Sequence, residues 1–202
     1  LIGAVLILLA SQLMDHRAAK AYILARLKAE LPASRTYHSL AHTLDVYAAS
    51  IDIGEQEGIS EADMLLLTTA ALFHDSGFIL QDLHHEEASC RLVRENLGRW
   101  DYTEAEIERI CGMIMATRIP QSPHDKLSRI LCDADLDYLG RDDFFSVGDT
   151  LFEELRSYGV LKTATEWNTL QDHFLSRHSF HTATNKRLRE PRKKQQLLAN
   201  HL

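Results

Sequence analysis

Three stretches place imidazoles beside carboxylates at spacings that suit a metal ion. His38 and His42, within YHSLAHTLDV, lie one helical turn apart, so both rings share a face. His74 and Asp75 arrive together at the end of LLLTTAALFHDSG, after a run from Met64 to Phe73 that carries no charge. The third stretch, LCDADLDYLG, offers Asp133, Asp135 and Asp137. Two imidazoles with two carboxylates suit a divalent ion such as Mn²⁺, Fe²⁺, Co²⁺, Ni²⁺ or Zn²⁺, and they also tolerate Mg²⁺. Mixed ligands of this kind leave positions open for water and substrate. A His-Asp dipeptide alone says little. His124-Asp125 follows Pro123 in a polar loop and is given no role.

The elements that must carry these groups read as helices. The stretch ending in His74-Asp75 is apolar all round, which predicts a buried helix. Ser60 with Asp63 opens it in a capping-box pattern, and Gly77 closes it. A buried helix that ends on an imidazole and a carboxylate is costly unless they are paired or bind a metal. Apolar periodicity predicts a helix from Val5 to Leu31, stopped by Pro32, and another from about Tyr37 to Glu55. Further helices are expected over Gln81 to Leu97, from Thr103 to about Thr117, over Lys126 to Leu139 and over Phe145 to Tyr158. Thr163 with Glu166 caps the next one, and Gln195 to Leu202 forms a C-terminal helix or frayed tail. No stretch alternates long enough to predict a strand, and no fixed-period repeat is present. The fold class is all-α: one domain over 1–202, with its core at about 32–140 and extra helices over 141–202.

Composition narrows the function. A net charge of -7 over 202 residues argues against a polymeric nucleic acid as partner. The three cysteines, Cys90, Cys111 and Cys132, fit no zinc spacing and read as buried free thiols in a reducing compartment, so a cytoplasmic location is expected. The uncharged start LIGAVLILLASQLM is read as a packed helix rather than the tail of a membrane segment, and no membrane partner is expected. The basic run Arg187 to Lys194 reads as a solvated helix-end cluster. Oligomeric state is not legible.

The ordered set of His42, His74-Asp75 and Asp135 resembles the HD-domain metal-dependent phosphohydrolases, whose pattern is His, then His-Asp, then Asp on successive helices. LFHDSGF and LCDADLDYLG are similar to that family's second and third motifs, and the likeness runs from about Tyr37 to Gly140. It implies an HD-domain-like helical bundle with added N- and C-terminal helices. It also implies a divalent metal held by His42, His74, Asp75 and Asp135. The choice of Asp135 follows the family's Ala-Asp pair, matched by Ala134-Asp135, and agrees with helix geometry. Asp135 shares a face with Leu131 and Tyr138, whereas Asp133 and Asp137 lie about 160–200° around the helix and are read as exposed or as partners of a ligand histidine.

YHSLAH is also similar to the first motif of the cyclic-nucleotide phosphodiesterase branch. Carried over, His38 is the general acid; the alternative is a histidine at the site's edge. In the cyclic-dinucleotide branch, a histidine about four residues before a small residue joins a second metal, a spacing that His85 and Ser89 share. MIMATRIPQSP lacks that branch's later paired histidines, so His85 is read either as a second-metal ligand or as a contact to substrate or water. Arg118, Arg35 and Arg141 are the candidates to clamp a phosphate. With Asp75 as ligand and orienter of water, His38 as acid and Arg118 as clamp, the resemblance implies hydrolysis of a phosphate ester or anhydride. A nucleotide or related metabolite is the expected substrate. The competing expectation is a metal-dependent nucleotide-binding or regulatory module without turnover, and a third is a structural helical domain that binds no metal.

Overall fold

The structure is a computed structural model that describes residues 14–199. Its order is α1 (His16–Glu30), α2 (Leu40–Glu57), α3 (Glu61–Phe73), α4 (His85–Asn96), α5 (Glu104–Ala116), α6 (Lys126–Asp135), α7 (Phe144–Ser157), α8 (Ala164–Arg177), α9 (Ala183–Leu188) and α10 (Glu190–Ala199). No strand occurs among the described residues. None of the described helices is long and apolar enough to cross a membrane. The N-terminal apolar run lies, but for Met14, outside the described residues.

Side-chain caps mark most of the helix starts. Asp15 accepts from the Ala18 amide and Ser60 from the Asp63 amide. Full capping boxes stand at Thr103–Glu106 and Thr163–Glu166. A third box, Asp125–Ser128, opens α6, so the His124-Asp125 dipeptide supplies a cap. Helix α3 is the axis of the bundle. Every residue from Leu66 to Phe73 is buried, and α1, α2, α5 and α6 pack around it. This burial holds the His74-Asp75 end of α3 at a fixed depth.

Gly77 serves a purpose other than closing α3. Residues Ser76–Ile79 form a 3₁₀ turn beneath α4, and a Cβ at Gly77 would stand 1.9 Å from the His85 carbonyl oxygen. Only a glycine lets the chain approach so closely. The Gly77 amide donates to Ser89 Oγ, which in turn donates to the His74 carbonyl. Those two bonds tie α4, and with it His85, to the end of α3.

A second apolar cluster joins Tyr37, Leu136, Tyr138, Leu139, Phe144, Leu175 and Phe180. It brings α7, α8 and α10 against the end of α6, and here several sequence expectations are corrected. Helix α6 stops at Asp135 instead of running to Leu139, and Asp137–Gly140 is a 3₁₀ turn. Asp133 and Asp137 are buried, not exposed, and neither contacts a ligand histidine. Asp133 accepts from the backbone of His181 and Thr182 and from Thr182 Oγ, at 2.6–2.8 Å. Asp137 accepts from Asn185 Nδ2 at 3.0 Å and Arg189 Nε at 2.8 Å. The C-terminal segment folds back over both carboxylates and satisfies them. The basic run is therefore only partly solvated: Arg189 pairs with Asp137, and Lys193 is buried against the His178 carbonyl and Glu190. It spans α9 and α10, so the last helix begins at Glu190 rather than Gln195.

Candidate metal centre

Three helices converge on one point. Helix α2 supplies His42 from its first turn, the end of α3 supplies His74 and Asp75, and the last residue of α6 supplies Asp135. His42 Nε2 stands 3.3 Å from His74 Nε2, 3.4 Å from Asp75 Oδ2 and 3.2 Å from Asp135 Oδ1. His74 Nε2 stands 3.1 Å from Asp75 Oδ2 and 3.5 Å from Asp135 Oδ1. Atoms held about 2.0–2.2 Å from one ion, in tetrahedral to octahedral arrangement, are roughly 2.9–3.6 Å apart. The observed spacings fall in that range. One ligand atom from each of His42, His74 and Asp135 lies within 4.8 Å of the others, a group that could hold a metal ion.

Hydrogen bonding agrees with a cation at this point. His74 Nδ1 donates to the Ala71 carbonyl at 2.8 Å, which leaves the lone pair of Nε2 facing the cluster. Asp75 Oδ2 is buried with no hydrogen-bond partner among the described residues. An orphaned carboxylate oxygen beside two imidazole nitrogens fits a metal cation as its partner. The electrostatics say the same. Burial alone would lower the pKa of His42, but the Asp135 and Asp75 carboxylates reverse this and raise it to about 9. Burial would raise that of Asp135, but His42 and His74 hold it at about 2. The two buried carboxylates thus draw positive charge to this point, which is the charge a divalent ion would carry.

Beside this cluster stands His38, from the turn that leads into α2. Its ring centroid is 6.1 Å from that of His42, and its Nδ1 is 2.5 Å from Glu154 Oε1. Glu154 lies on α7, is buried, and also accepts from Arg35 Nη1 at 2.8 Å and from the backbone amides of Tyr37 and His38. Burial opposes its ionisation, but His38 and Arg35 outweigh that and bring its pKa to about 2. An ionised Glu154 accepts the Nδ1 proton of His38 and leaves Nε2 for other work. Nothing in LFEELRSYG separates Glu154 from Glu153. Only the packing of α7 against the turn before α2 selects it, so sequence reasoning missed it.

His85 lies on the other side. Its Nε2 is 3.4 Å from Asp75 Oδ1 and 3.6 Å from Glu86 Oε1, and its ring stacks on Phe78 at 3.9 Å. Asp75 therefore turns one oxygen to the His42–His74 pair and the other to His85. The three arginines are not free to meet an anion. Arg118 pairs with Glu86 and Glu87 on α4. Arg35 is buried between Glu154 and Asp82, and Arg141 pairs with Asp45 and Asp143. A cavity opens on Tyr37, His38, Asp75, His85 and Asp135, and Arg118 is not part of its wall.

Residues 39–137 match the family described as HD domain. The matched segment holds His42, His74, Asp75, His85 and Asp135, and it excludes both His38 and Glu154. In fold, the chain is similar to Bacillus subtilis YpgQ, whose crystal structure was determined in complex with ADP. The TM-score is 0.63 with 18% identity, over 93% of this chain and 94% of that one. No curated protein matches the chain by sequence.

Proposed function

Because this chain belongs to the HD-domain superfamily, carrying that domain over residues 39–137, we propose that it is a metal-dependent phosphohydrolase acting on a nucleotide-type phosphate ester or anhydride. The observation that carries the reading is that the Nε2 atoms of His42 and His74, from α2 and the end of α3, each stand 3.1–3.5 Å from an oxygen of Asp75 and of Asp135, the Asp75 oxygen being without a hydrogen bond. His42, His74, Asp75 and Asp135 would hold the ion. When bound, it supplies a water of lowered pKa and neutralises phosphoryl charge.

The chain's own groups do the rest. Asp75 Oδ1, 3.4 Å from His85 Nε2, would orient the attacking water by accepting its hydrogen. His38, its Nδ1–H held by Glu154, carries a proton on Nε2 to the leaving oxygen and returns to the neutral ring. The pairing fixes the orientation of a ring that lines the cavity, which supports a role for that ring in turnover. Arg118, held by Glu86 and Glu87, stands at the rim and is given no step in the reaction. The nucleotide part of the proposal is supported by the fold shared with an ADP-bound protein.

Metal analysis of the purified protein tests the proposal, followed by a phosphate-release screen over nucleotides with Mn²⁺, Mg²⁺, Ni²⁺ and Co²⁺. The expected result is stoichiometric metal and metal-dependent release. A protein that takes up no metal under these conditions overturns the proposal.

A further inference from the structure

The cavity over the ligand cluster has two unlike ends. It encloses about 300 Å³. One end is the charged group already described. The other is built by α7 and α8, outside the HD segment, and its wall includes Leu155, Trp167, Leu170 and Phe174. A phosphate has no use for that wall, so it must meet another part of the substrate.

A single amide stands in this apolar end. Gln171 is only 7% exposed, it lines the cavity, and its side chain makes no hydrogen bond to any described residue. Room is made for it by Gly148 on α7. A Cβ there would lie 3.1 Å from Gln171 Nε2 and 3.5 Å from Trp167 Cζ2. A carboxamide that makes no hydrogen bond within the protein and lines a cavity offers its donor and acceptor to whatever enters. A carboxamide offers one donor and one acceptor side by side in a plane, which complements a heterocycle edge bearing an adjacent acceptor and donor. Apolar and aromatic neighbours suit the faces of such a ring.

We propose that Gln171 is the base-reading residue of the site, and that the α7–α8 end of the cavity takes the nucleobase of a nucleoside phosphate whose phosphate lies at the His42–His74–Asp75–Asp135 cluster. This deepens the function proposed above and rests on it. The pocket discriminates among bases through Gln171, while Leu155, Trp167, Leu170 and Phe174 accept any flat ring.

The test is a calorimetric titration of the Mn²⁺-loaded protein with AMP, GMP, CMP, UMP and ribose 5-phosphate, which has no base. Wild type should bind at least one nucleotide about 30-fold tighter than ribose 5-phosphate. Gln171→Leu should remove about 10-fold of that preference. Gln171→Met, which keeps the length without the amide, should lose as much as Gln171→Leu. Gln171→Glu, an acceptor only, should re-rank the four nucleotides. The inference is overturned if wild type binds no nucleotide tighter than ribose 5-phosphate. It is equally overturned if Gln171→Leu weakens both ligand types alike, or if Gln171→Met restores full preference. The phosphate-release screen reads the hydrolase proposal separately. Turnover without base preference sinks this inference alone, and base-dependent binding without turnover sinks the hydrolase alone.

Discussion

The segment from α2 to α6 and the segment from α7 to α10 treat buried charge differently. In the first, Asp75 and Asp135 face His42 and His74 at 3.1–3.5 Å, and Asp75 Oδ2 is left without a hydrogen bond. In the second, Glu154 takes four donors and Lys193 is held by Glu190 and the His178 carbonyl. The second segment also supplies the donors that satisfy Asp133 and Asp137. Where every buried charge is partnered, the groups hold the fold together. At Asp75 the carboxylate oxygen left over is open to a ligand. Asp133 and Asp135 put that contrast within two residues of each other.

The largest effect should come from setting those two apart. Asp135→Asn should lose metal by more than the roughly 10–100-fold that loss of an outer partner costs. It should also lose the rise in Tm that added metal gives. Asp133→Asn should keep the metal and lower stability by about 1–3 kcal/mol, because it loosens the three donors of His181 and Thr182. Metal per chain and Tm in both variants decide the matter. An empty site in Asp133→Asn with a filled one in Asp135→Asn would reverse the assignment.

Next in size is His38→Ala. It should retain the metal and lose about 10²–10⁴ in kcat. Loss of metal instead would make His38 a ligand. Glu154→Gln should lower kcat by less than His38→Ala, with little change in KM, and should shift the pH profile of kcat. An unmoved profile would leave Glu154 a purely structural role.

Glu154 also has a stability signature. Its folded pKa of about 2 lies below its ordinary value, so its contribution is complete above that ordinary value, near pH 4.5. It is lost as pH falls from there towards 2, and amounts to about 3 kcal/mol at most. Acid unfolding of Glu154→Gln should therefore show a shallower loss over that interval than wild type.

The smallest effect is expected at Arg118. Its guanidinium is exposed at the rim and already paired with Glu86 and Glu87, so Arg118→Ala should change kcat/KM by less than about 3-fold. A loss above 10-fold, confined to KM, would mean that the side chain leaves those carboxylates to clamp a phosphate.

What the sequence determined by itself was local or motif-bound. The caps at Ser60, Thr103 and Thr163 announce helices because a side chain three residues away completes them. The uncharged run from Met64 to Phe73 announces a buried helix because it has no polar face to turn to water. The order His42, His74-Asp75, Asp135 is readable because the HD segment carries it within 39–137. The tertiary structure alone decided the rest, since those properties depend on residues far apart in the chain. Asp133 and Asp137 could not be read as buried from α6, because their partners arrive about 50 residues later. Glu154 could not be told from Glu153, because its worth lies in a contact 116 residues away. The same holds for Gln171, whose unpaired amide has meaning only once α7 and α8 close the far end of the cavity. Helix formation is decided over a few residues, whereas burial and pairing of charge are decided only when the whole chain has packed.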